Sequence, residues 1–99
     1  RAWVHPKTYI RLSIIEPGVH VNYGVMMTST YVENHTTISP GVILAGDIHI
    51  GKRCLIGLGA RVCDRVCIGD DVTVGACAVI LPETIIPSGA TAIGVPAKW

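Results

Sequence analysis

Four histidines, His5, His20, His35 and His49, are the side chains of this 99-residue sequence best suited to moving a proton near neutral pH. His5 belongs to a His-Pro pair near the start and reads as structural. His20 falls on an otherwise aliphatic series and reads as a partly buried residue of an end coil. His49 directly precedes an isoleucine of that series and faces outward. His35 follows Glu33 and Asn34, either of which could orient its imidazole, and is the candidate general base, with a non-catalytic corner residue as the alternative. The run Met26-Met27-Thr28-Ser29-Thr30 sets two thioethers before three hydroxyls. Those hydroxyls either satisfy turn backbone or line a cleft between subunits. Lys52, Arg53, Arg61 and Arg65 form either a solvated outer face or a contact for a phosphorylated ligand.

These residues are carried by a six-residue beat. Ile38, Leu44, Ile50, Ile56, Val62, Ile68, Val74, Ile80 and Ile86 are all aliphatic, with no skipped step. The same spacing run backwards reaches Val32, Met26, His20 and Ile14, so only His20 breaks it. Two residues ahead of each aliphatic stands a smaller or β-branched side chain: Thr36, Val42, Ile48, Cys54, Ala60, Val66, Val72, Ala78 and Thr84. Neither a helical nor a simple strand period fits a beat of six. A short strand plus a corner does fit, and three such sides, one beat each, close a coil. The expected fold is a parallel β-solenoid of about five coils over 12–90, with a lead-in segment at 1–11 and a C-terminal tail at 91–99.

A coil of three beats predicts neighbours. The core ladders expected are Ile14–Val32–Ile50–Ile68–Ile86, His20–Ile38–Ile56–Val74 and Met26–Leu44–Val62–Ile80. His35 should lie beside Arg53 and Arg53 beside Asp71, while His49 should stand between Tyr31 and Cys67.

Composition sets bounds. Half the residues are apolar, charges are few, and the net charge is +1. That balance argues against nucleic-acid or membrane partners and for self-association. No signal peptide or apolar run of membrane-spanning length stands out. The chain begins without Met and reads as trimmed or as part of something longer. Cys54, Cys63, Cys67 and Cys77 form no CxxC pair and read as reduced thiols, which fits a cytoplasmic location.

The hexapeptide beat, the run Leu44-Ala45-Gly46-Asp47-Ile48-His49-Ile50-Gly51 and the ending Gly94-Val95-Pro96-Ala97-Lys98 resemble the left-handed β-helix acyltransferases. Within them the chain is most similar to sugar O- and N-acetyltransferases of the sialic-acid and bacillosamine type. The resemblance implies a left-handed hand of coiling, a homotrimer with active sites between adjacent solenoids, and acetyl-coenzyme A as acyl donor. It also implies donor contacts at Thr37, Leu58 and Ala76, the last two through backbone beside small residues. The family's catalytic histidine aligns with Thr28, which cannot act as a base near neutral pH. In that branch a nucleotide-sugar-binding domain usually precedes the solenoid, and this sequence begins where that domain would end.

Three functions compete. The first is acetyl-coenzyme A-dependent transfer to a hydroxyl or amino group of a small, sugar-like acceptor, with His35 as base and no metal. The second is a γ-type carbonic anhydrase, which needs three histidines converging on zinc; the spacing of these four fits that poorly. The third is a non-catalytic trimeric module whose site has decayed.

Overall fold

Short extended pieces are all the regular structure this sequence forms, because each six-residue step spends its remainder on a corner. The computed structural model describes residues 1–99. Its first coil holds β1 (Trp3–Val4), β2 (Tyr9–Arg11) and β3 (Ile14–Ile15), and its second β4 (His20–Val21), β5 (Met26–Thr28) and β6 (Thr30–Val32). The third holds β7 (Thr37–Ile38), β8 (Ile43–Leu44) and β9 (Ile48–Ile50). The fourth holds β10 (Leu55–Ile56), β11 (Arg61–Val62) and β12 (Cys67–Ile68), and the fifth β13 (Thr73–Val74), β14 (Val79–Ile80) and β15 (Ile85–Ile86). The ending adds β16 (Thr91–Gly94), parallel to β13, and β17 (Ala97–Lys98), antiparallel to β16.

Strands at the same place in successive coils pair in parallel and build three sheets. The first runs β1-β4-β7-β10-β13-β16-β17, the second β2-β5-β8-β11-β14, and the third β3-β6-β9-β12-β15. The result is a left-handed parallel β-helix, three-sided, measuring 31 × 20 × 20 Å. Pairing already includes β1 and β2, so the segment 1–11, expected as a lead-in, supplies two sides of the first coil. At the other end β16 adds a further strand to the first sheet, and Ala92 is buried under it.

The inward residues are those of the beat from Val32 onward. Val32, Ile50, Ile68 and Ile86 line one inner face, Ile38, Ile56 and Val74 another, and Leu44, Val62 and Ile80 the third, all buried. The smaller partners Val42, Ile48, Cys54, Ala60, Val66, Val72 and Ala78 are buried beside them. Two aliphatic layers per side fill the narrow interior without polar remainder, apart from Thr30 and Thr36. Thr36 Oγ1 donates to the Gly51 carbonyl at 2.6 Å and accepts from Cys54 N–H at 3.1 Å, so its burial leaves no unmet group.

Before Val32 the structure departs from the expected ladders. Val21, Met27 and Ile15 point inward, whereas His20, Met26 and Ile14 face out, Ile14 being 61% exposed. The strand register changes accordingly: Val21 pairs with Ile38, Met27 with Leu44 and Ile15 with Val32, each pair one place short of a full coil. The step from Met27 to Val32 is a single residue shorter than the beat, and so is the step from Ile10 to Ile15. Such a shortened corner flips every side chain before it to the opposite face.

The corners stack in three columns of left-handed residues. Corner one, between the second and third sheets, holds Leu12, Ser29, Asp47, Arg65 and Glu83; corner two, between the third and first, holds Gly18, His35, Arg53, Asp71 and Gly89. Corner three, between the first and second, holds Gly24, Gly41, Gly59 and Cys77. Nine of these are not glycine and have φ between 47° and 62°. Each isolated left-handed residue costs roughly 1 kcal/mol or more. Bonds to the coil before hold the conformation: in corner two Arg53 N–H donates to Asn34 O at 3.0 Å and Asp71 N–H to Lys52 O at 2.8 Å.

Candidate functional site

Corner two of the second and third coils gathers Glu16, Glu33, His35, Lys52 and Arg53, with Tyr31 and His49 beside them. Glu16 and Glu33 occupy equivalent places at the start of this corner in successive coils. Each reaches an outward residue on the next strand of the third sheet. Tyr31 donates its hydroxyl to Glu16 Oε2, while Glu16 Oε1 accepts from Asn34 N–H at 3.1 Å. That hydrogen bond from the phenol, with smaller contributions from burial and from the charges of Glu16 and Glu33, holds Tyr31 above its usual range. Glu33 Oε2 lies 2.5 Å from His49 Nε2, and its Oε1 lies 3.5 Å from Lys52 Nζ. The Tyr31 and His49 rings stand 5.3 Å apart, tilted by 42°. Cys67 pairs in register with His49 on the far side, so Tyr31, His49 and Cys67 form the expected outward column.

His35 sits at the apex of the same corner, exposed, with its ring laid over Gly18 so that a β-carbon there would run into the imidazole. Its own N–H donates to Pro17 O at 3.4 Å, and its ring has no hydrogen-bond partner. Glu33, one of the two residues expected to orient it, turns to His49 and Lys52 instead. The stacking of His35, Arg53 and Asp71 is as expected. Arg53 Nε and Nη2 donate to Asp71 Oδ1 and Oδ2 at 2.9 and 3.0 Å. This fork holds the Asp71 carboxyl below its ordinary range and the Arg53 guanidinium above its own.

The donor contacts implied by resemblance lie along the neighbouring face. Thr37, half-buried on β7, stands in one column of the first sheet between His20 and Leu55. Leu58 and Ala76 occupy equivalent positions beside corner three in the fourth and fifth coils, both exposed. There Gly57 packs on the next coil so closely that a β-carbon would fall 2.5 Å from Val74 O and 2.7 Å from Ala76 N. Leu58 and Ala76 are therefore brought together, Thr37 lies on the face they border, and His35 lies at the opposite end of that face. The stretch from His35 to Gly41 makes this side about 20 Å long at ~3.3 Å per residue.

Thr28 belongs to a different face. It ends β5, its carbonyl accepts the Thr30 hydroxyl at 2.9 Å, and no imidazole or carboxylate is hydrogen-bonded to it. Beside its column lies a depression of about 350 Å³ lined by Ile43, Ala45, Arg61, Val62, Cys63, Asp64 and Pro82. Its one cation is engaged: Arg61 Nη1 donates to Gly59 O at 2.7 Å and Gly41 O at 2.9 Å. With an apolar floor and no histidine, it is a weaker candidate for acid–base chemistry than corner two. His5 and His20 pack with Trp3 at ring separations of 5.9 and 5.7 Å on the outer face of the first sheet. No three His, Cys, Asp or Glu side chains are arranged to hold a metal ion. The four cysteines are free; Cys54 is buried, and burial pushes its thiol up.

The pairing of Glu33 with His49 was missed at the level of sequence. The two are 16 positions apart, which puts Glu33 off the column that His49 shares with Tyr31. The one available signal was that Glu16 and Glu33 share a corner position ahead of an outward aromatic or imidazole ring.

No protein-family model matches the chain. It is 36% identical over 104 residues to a serine acetyltransferase of Helicobacter pylori, covering 96% of this chain and 58% of that protein. A serine acetyltransferase of Haemophilus influenzae is 30% identical over 101 residues, covering 85% of this chain and 37% of its own length. In solved structures, a mutant perosamine N-acetyltransferase from Caulobacter crescentus in complex with CoA and GDP-perosamine superposes with a TM-score of 0.84 at 31% identity. The match covers 98% of this chain and 52% of that one. The acetyltransferase domain of PglB from Neisseria gonorrhoeae, in complex with acetyl coenzyme A, gives 0.69 at 32% identity over 98% and 53%. The chain thus spans between 37% and 58% of the length of these relatives. With sequence similarity along 96% of its length and the same coiled fold along 98%, the chain is similar to acetyltransferases built on this hexapeptide-repeat solenoid.

Proposed function

We propose that the protein transfers an acetyl group from acetyl-coenzyme A to a hydroxyl or amino group of a small acceptor, a sugar or an amino acid. The observation that carries this is the match to an N-acetyltransferase holding CoA and GDP-perosamine, which covers nearly all of this chain at 31% identity. The donor is proposed to lie along corner three, against Leu58 and Ala76, where Gly57 and Gly75 leave bare backbone beside it. Thr37 then borders the acetyl end. By chain position alone the candidate base there is His35, exposed two residues ahead of Thr37, although Glu33 turns away from it. A homotrimer is proposed on the outer face of the second sheet, whose column Tyr9, Met26, Ile43, Arg61 and Val79 is apolar but for Arg61. A cytoplasmic location is proposed on the four free thiols. No helix in the structure is long and apolar enough to cross a membrane.

The second reading, a binding module whose catalysis has decayed, is favoured by one observation: Thr28 places no base where the family's histidine aligns. Calorimetry with coenzyme A and a turnover assay on amino sugars and serine distinguish the two. Binding with turnover supports the transferase, and binding without turnover supports decay.

A further inference from the structure

We infer that the general base for acyl transfer is His49, held by Glu33, an inference that rests on the transferase reading and names the group that does its proton chemistry. Of the four imidazoles, only this one has a carboxylate beside it, with Glu33 Oε2 at 2.5 Å from Nε2. His5 Nδ1 accepts from Lys7 N–H at 3.0 Å and its ring packs on Trp3 and Tyr23; His20 packs on Trp3; His35 lies on Gly18 without a partner.

The carboxylate settles the tautomer. An ionised carboxylate only accepts, so Nε2 carries the proton toward Glu33 and the lone pair is left on Nδ1. Glu33 itself is held on its other oxygen by Lys52 Nζ at 3.5 Å, and its side chain is only 18% exposed. Tyr31 supports the ring on the side of the preceding coil, and its own hydroxyl is fixed by Glu16. The imidazole is thus oriented by a carboxylate, backed by a ring, and half open to solvent, with its side chain 47% exposed. This is the base-plus-orienter arrangement of acyl-transfer sites.

Position agrees with the chemistry. Glu33 opens the corner whose far side is Thr37, and His49 faces outward just before the same corner one coil later. A donor resting on Leu58 and Ala76 lays its arm along the first sheet, over Thr37, and delivers the thioester to this corner. His49 Nδ1 takes the proton from the acceptor O–H or N–H as that atom bonds to the acetyl carbon. The carbon–sulfur bond breaks, coenzyme A leaves as the thiolate, and the imidazolium returns the proton to its sulfur. Lys52 stands within the same corner, placed to offset charge on the carbonyl oxygen as it develops.

The test is steady-state release of coenzyme A from acetyl-coenzyme A with serine and amino-sugar acceptors, for wild type and variants whose thermal melts match it. His49→Ala is expected to lower kcat by about 10²–10⁴-fold, the usual worth of a general base. Glu33→Gln is expected to lower kcat with KM little changed, and Glu33→Asp to restore part of the loss, a rescue that a merely structural role would not give. His5→Ala, which follows β1 in the first coil, two coils before Thr37, is the control for loss of an imidazole. An active wild type with His49→Ala unimpaired overturns the inference and leaves the transferase reading standing, as does loss confined to His35→Ala. A wild type that binds no coenzyme A, or releases none from the thioester, removes both.

Discussion

His49 and Glu33 meet across one corner of the solenoid, 2.5 Å between nitrogen and oxygen, although they stand 16 positions apart in the chain. Their contact depends on the register of β6 against β9. That register sets Tyr31 beside His49 and brings the Glu33 side chain back under the imidazole. Corner two is therefore the place where the fold assembles groups that are distant in sequence.

The shortened corner between Met27 and Val32 predicts a contrast between adjacent methionines. Met27 is fully buried and Met26 is 48% exposed. Met27→Ala should cost about 2–5 kcal/mol, whereas Met26→Ala should cost clearly less, because Met26 serves only the outer face proposed for self-association. Chemical denaturation of the two variants measures both. Equal losses would mean that the uninterrupted six-residue spacing, and not the observed register, describes the second coil.

Thr36 is the buried polar residue that ties one corner to the next. Replacing it by valine keeps the shape but leaves Cys54 N–H and Gly51 O without their partner, at an expected cost of about 1–3 kcal/mol. A melt of Thr36→Val unchanged from wild type would show that neither group relies on the hydroxyl.

The Arg53–Asp71 fork predicts a pH dependence with a definite sign. The Asp71 carboxyl is held below its ordinary range by Arg53, so the folded state binds this proton less readily than the unfolded chain does. The stabilisation is present above the unfolded carboxyl's pKa and disappears as pH falls through the depressed folded value. Melting temperatures of wild type and Asp71→Asn should differ slightly near neutrality and converge in acid. Both side chains are more than half exposed, so the difference is small and shrinks with added salt. A gap that widens on acidification would contradict the assignment.

The thiols should react in an order set by exposure. Cys67 and Cys77 are exposed, Cys63 is partly covered, and Cys54 is buried with its thiol pushed up by desolvation. Iodoacetamide should label the first two ahead of Cys63, and Cys54 only after unfolding. Early labelling of Cys54, read by mass spectrometry of peptides, would mean that the fourth coil opens in the native state.

Much of the fold is legible in the sequence because an aliphatic at every sixth place has one cheap solution, a three-sided coil. From Val32 onward each expected ladder neighbour is a neighbour in the structure. Earlier the beat misleads, because Ile14-Ile15 and Met26-Met27 are apolar pairs that satisfy either register. His20, the one break in the series, marked the slip: Val21 beside it is the core residue. The site was less legible. Column position places His35, Thr37, Leu58 and Ala76, but the direction of the Glu33 side chain depends on what stands off its own column. Periodicity carries no information about that.

The central claim is that this solenoid binds acetyl-coenzyme A along corner three and transfers its acetyl group. Calorimetric titration of the protein with coenzyme A, beside Ala76→Trp, tests it most directly. The account predicts saturable binding to wild type and its loss in the variant, where an indole fills the edge shared with Leu58. No heat of binding to wild type at millimolar coenzyme A, or equal binding to both proteins, would contradict it.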